Sequence, residues 1–121
     1  MRASSRKVLG AALALATGVW LATPTLVAAD VPTAERIDAA KTKADHEALA
    51  DEYEKLAEEA KQRSAHHTKL AEHYAKIRRG PAVRPAAVEA HCEALARIYS
   101  QAAEEYQALA NEHRAIAAEL E

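Results

Sequence analysis

Several residue types are nearly missing from this 121-residue chain. There is no phenylalanine, and methionine, tryptophan and cysteine occur once each, as Met1, Trp20 and Cys92. Beyond residue 29, glycine occurs only as Gly80. Each absence excludes something. A single cysteine cannot close an intramolecular disulfide, so Cys92 is a free thiol, an intermolecular bridge or a ligand. The attachment motif CxxCH is missing, which excludes covalent c-type haem, and the lack of methionine beyond the first residue excludes His/Met haem ligation. There is no CxxC and no HExxH. Ser64 and Ser100 lie inside long helical patterns, without the sharp turn that exposes and activates a nucleophilic hydroxyl, so an enzyme is not expected. Scarce aromatics and glycines with abundant alanine make the composition of long helices and not of a sheet protein.

The N-terminus reads as a targeting segment. Arg2, Arg6 and Lys7 precede an apolar run from Val8 to Ala22, and Val27-Ala28-Ala29 offers small or apolar residues to a signal peptidase. The run is shorter than the roughly 20 residues a membrane span requires. A secretory signal over residues 1–29, cleaved before Asp30, places the mature protein in the periplasm or outside the cell. Residues 30–121 keep all 18 acids and lose three of the 16 bases, for a net charge of −5 with histidine neutral. Nucleic acid is not an expected partner, because phosphate binding needs clustered bases.

After a leader over residues 30–33, Thr33 suits a helix N-cap, though Arg36 stands where a capping box would place an acid. No glycine or proline interrupts residues 34–78. Residues 79–84, containing Gly80 and Pro81, form a turn, and Pro85 suits the first turn of a second helix over residues 85–121. Both segments carry a heptad pattern. In the first, Leu49, Leu56, Arg63, Leu70 and Ile77 form the d column, and His46, Tyr53, Ala60, His67 and Tyr74 the a column. In the second, d holds Val88, Leu95, Ala102, Leu109 and Ile116, and a holds Cys92, Tyr99, Tyr106, His113 and Leu120. The position after each d residue is nearly always small: Ala50, Ala57, Ser64 and Ala71, then Ala96, Ala103, Ala110 and Ala117. These columns predict an all-α fold, a long antiparallel helical hairpin with an a/d seam. So thin a hairpin has no enclosed core of its own, and the alanine stripe invites a further helix; a homodimeric four-helix bundle is expected.

The two segments also repeat each other. Ala44-Asp45-His46-Glu47-Ala48-Leu49-Ala50 aligns with Ala90-His91-Cys92-Glu93-Ala94-Leu95-Ala96, and Tyr53 with Tyr99, so His46 and Cys92 hold equivalent places. Six histidines fall in or beside the predicted seam. A turn near Pro81 sets Cys92 opposite Leu70 to His73, His91 opposite His73 and His67 opposite Leu95, and brings His46 to His113 at the open end. The candidate metal ligands are therefore Cys92, His91, His73 and His67 near the turn, with His66 and Tyr74 in reserve, and His46 with His113 at the far end. Thiolate with imidazole is a ligand set for zinc and for copper, bound as neutral histidine and deprotonated thiol. The function expected is that of an exported protein that binds or buffers copper or zinc. Against it stand a non-enzymatic coiled-coil module that docks another envelope protein, and a bundle holding non-covalent bis-His or His/Cys haem. The bland reading of the same residues is histidines bonded to seam tyrosines or acids, and Cys92 as a small core residue.

Overall fold

The computed structural model describes residues 30–77 and 85–120. The expected signal segment, residues 1–29, and the expected turn, residues 79–84, lie outside the described residues. The described chain forms α1 (Ala34–Ala39), α2 (Lys43–Ile77) and α3 (Pro85–Glu119). α2 and α3 pack along one another as a helical hairpin. They run antiparallel, since His46 meets His113 at one end while Ser64 meets Ala96 further along. Among the described residues no helix is long and apolar enough to cross a membrane.

The helix expected over residues 34–78 is divided at Ala40–Thr42. Thr33 caps α1, its hydroxyl accepting from the Arg36 N–H. Three residues into α2, the Asp45 carboxylate accepts from the backbone N–H of Lys41 (3.0 Å) and of Thr42 (2.9 Å), while Asp45 N–H donates to Thr42 Oγ1 (3.2 Å). This reciprocal box satisfies donors that a continuous helix would have used internally, and so restarts the helix. These hydrogen bonds, led by the one from Lys41, hold the Asp45 carboxyl below its ordinary range. α1 then folds back on α2: Ala39, Ala40 and Leu49 line one cleft, and Arg36 pairs with Glu52.

The seam differs from the expected a/d stripe. Ala50 and Ala110 are fully buried, and Ala57, Ala103 and Ala117 nearly so. The alanine column thus closes the hairpin itself. Small side chains let the helices approach closely enough for Ser64 Oγ to donate to the Ala96 carbonyl oxygen across the seam, at 2.8 Å. Ala50, Tyr53, Leu56 and Ala110 form the central buried cluster, with Tyr106 packed against it. Turning α3 to present its alanines rotates its d column outward. Val88, Leu95, Leu109 and Ile116 are all exposed, whereas Leu49 and Leu56 of α2 are buried. The face left for a further helix is therefore aliphatic and lies mainly on α3, with Ile77 the exposed d-column aliphatic of α2.

Candidate metal centre at the open end of the hairpin

His46 enters α2 just after the capping box, and His113 lies in the last turns of α3. The structure brings them together: Nδ1 of one ring is 3.0 Å from Nδ1 of the other, and the ring centroids are 5.3 Å apart. At that distance one Nδ1 carries a proton and donates it to the other. Tyr53, one heptad beyond His46, lies nearly parallel to His113 (centroids 5.5 Å apart, planes inclined by 10°) and also stacks on Tyr106. The seam here is a column of rings, His46, His113, Tyr53 and Tyr106, flanked by the Ala50–Ala110 contact. His113 is 8% exposed. Burial, and then the charge on neighbouring His46, lower its pKa, so the neutral, ligating form of the imidazole is favoured.

The pair's spacing suits metal ligation. With metal–nitrogen bonds of about 2.0–2.1 Å, two imidazole nitrogens on one tetrahedral ion stand about 3.3 Å apart, and at a square-planar corner about 2.9 Å. Arg114, beside His113, pairs with Asp51 and Glu54 of α2 and so ties the two helices across the same end.

The turn-proximal candidates are placed differently. His67 stacks on Tyr99, with centroids 5.6 Å apart and planes inclined by 5°, where Leu95 was expected opposite it. Tyr53 lies on His113 in the same way, each ring reaching one heptad beyond its own seam level, so one register runs through both halves of the hairpin. Arg63 caps the outer face of Tyr99, 5.7 Å from its centroid. His66 is exposed and meets His67 edge-on, and His73 is exposed beside Tyr74. His91 is exposed, while Cys92 is a buried free thiol, 7% exposed. His67 Nδ1 is buried with no hydrogen-bond partner, which nothing in the sequence indicated. Among the described residues, no three or more His, Cys, Asp or Glu side chains come together in a group that could hold a metal ion. Of the six candidates, only His46 and His113 meet as a ligand pair.

No family model, curated protein or solved structure matches the chain.

Proposed function

We propose that the chain is an exported, non-enzymatic helical-hairpin protein of the periplasm that dimerises and binds or buffers a copper or zinc ion through its seam histidines. The observation that carries this reading is the His46–His113 pair. A buried and a half-buried imidazole with Nδ1 atoms 3.0 Å apart form a bidentate bite held by helix packing. Preset ligands lose little freedom on binding, which favours affinity. Because protons compete for the same nitrogens, uptake weakens as pH falls through the histidine range.

The test is copper and zinc uptake by the metal-free chain, read by elemental analysis after gel filtration. The expected result is retention of one of the two ions at micromolar concentration, lost in His46→Ala/His113→Ala. No uptake of either ion by the unaltered chain overturns the reading, and a Soret band in protein taken from its exported fraction replaces it with haem.

The exposed aliphatic column of α3 supports a second reading, a module that docks another envelope protein. That reading expects Leu95→Glu with Leu109→Glu to abolish the partner complex in a pull-down, and the His46→Ala/His113→Ala chain to keep it.

A further inference from the structure

The exposed column of α3 has an order of its own. From Val88 through Leu95, Ala102 and Leu109 to Ile116, it runs branched aliphatic, leucine, alanine, leucine, branched aliphatic. It reads alike in both directions about Ala102. A twofold interface requires such self-complementarity, because each residue meets its counterpart in reverse order. A second α3 laid antiparallel about Ala102 sets Leu95 against Leu109 of the partner subunit and Val88 against the partner subunit's Ile116.

That register also fixes where the seam levels fall. Within one hairpin, seven residues forward along α2 and seven back along α3 lead from His46–His113 to Tyr53–Tyr106, whose rings stack. Two more such steps reach His67 and Cys92. His67 stacks between helices as Tyr53 does, with a buried Nδ1 that has no partner, and Cys92 is buried. The internal repeat equates the two levels: the offset that takes His46 to Cys92 takes His67 to His113. In the antiparallel pair, the His46–His113 level of one subunit coincides, within one residue, with the His67–Cys92 level of its partner. The twofold axis lies normal to the paired helices, so it keeps both a columns on the same side of the interface.

We propose that two chains pack antiparallel through α3 about Ala102, so that His46 and His113 of one subunit and His67 and Cys92 of the partner subunit form a four-ligand site for zinc or copper, twice per dimer. Three imidazoles and a thiolate make a closed tetrahedral set of the kind that holds zinc. Each chain carries half of each site. This deepens the metal-binding reading above and rests on it.

Subunit complementation is the test. One chain carries His46→Ala with His113→Ala, the other His67→Ala with Cys92→Ala, and helicity of both is checked by circular dichroism. Each alone is expected to lose its zinc and copper, since every site lacks two ligands. Unfolded together and refolded as an equal mixture, they are expected to recover about a quarter of the unaltered chain's ion content: half the dimers are mixed, and each of those has one intact site of two. Independently, Leu95→Glu with Leu109→Glu, on the exposed column, is expected to halve the solution mass and release the ion. Retention of the ion by the His67→Ala/Cys92→Ala chain alone, or a mixture no better than its parents, overturns the shared site while leaving metal binding by the His46–His113 pair intact. A monomeric unaltered chain that holds its ion does the same. Only a failure of the unaltered chain to take up either ion removes both.

Discussion

Glu47-Ala48-Leu49-Ala50 in α2 and Glu93-Ala94-Leu95-Ala96 in α3 are the same four residues in the same heptad places, and they meet different surroundings. Leu49 is 2% exposed and Leu95 is 37% exposed. The hairpin seam is asymmetric: α2 turns Leu49 and Leu56 into it, whereas α3 presents alanines and turns its own d column outward. α1 adds to the difference, since it lies against Leu49 with Ala39 and Ala40, while among the described residues no comparable element covers Leu95. A short helix outside the repeat thus reinforces a contrast that the seam sets up. The comparison also shows what α3 lacks: a cover for its aliphatic column, the role α1 plays for part of α2.

The comparison can be broken at Leu49. Truncation to alanine there leaves a cavity between α1 and α2 and is expected to cost about 2–5 kcal/mol, measured by urea denaturation. Leu95→Ala is expected to cost less than half as much in dilute solution, and its effect should grow with protein concentration if a second copy covers the column. Equal, concentration-independent losses at both positions would make the two repeats energetically equivalent and remove the contrast.

A pH titration of the metal-free chain sharpens the same contrast, since His113 and its repeat counterpart His67 differ in setting. The folded-state pKa of His113 is depressed by burial and by His46. The unfolded chain therefore binds the proton first as pH falls. The stability tied to His113 is fully present above its ordinary value of about 6.5 and is lost as pH drops below it. The expected outcome is a urea midpoint that falls between neutral and mildly acid pH, with a smaller fall in His113→Gln. An identical slope in that variant would assign the pH dependence elsewhere.

The smallest expected effect lies at the α1–α2 junction. Thr42→Ala removes the hydroxyl that caps α2 and is expected to cost about 1 kcal/mol, read as a lowered thermal midpoint. Because the cap positions α1 over Leu49, the same variant should speed amide exchange across residues 34–49 more than anywhere in α3.

Much of this arrangement was legible beforehand. Both long helices follow from heptads unbroken by glycine or proline, their antiparallel pairing from the short Gly80-Pro81 link, and the meeting of His46 with His113 from simple counting back from that link. The junction at Ala40–Thr42 does have a local signature. Thr42 and Asp45 stand at capping-box spacing, yet the apolar periodicity continues through them, and a cap of this kind outweighs periodicity only once α1 can fold back. The choice of seam was not legible, because a column of alanines and a column of leucines satisfy the same pattern. Which one closes the hairpin depends on how flat Tyr53, Tyr106 and His113 can lie, a packing property with no local signature. Nor was the stacking of His67 on Tyr99 legible, while His73 and His91 fall on exposed faces beside the seam.

The ring pair at the open end also bears on how the molecule breathes. His46 and His113 are 67 residues apart along the chain, whereas seam contacts nearer the link join residues much closer in sequence. A hairpin of this kind closes like a zipper, its short-loop contacts first and its widest loop last, since loop-closure entropy rises with separation. Yet most of the buried residues lie in this far half, from Leu49 to Ala60 on α2 and from Ala103 to Ala117 on α3, and Arg114 bridges the helices beside the pair. The contacts that are slowest to find one another are thus also among the best packed, so the widest loop, once closed, is held by the densest part of the seam.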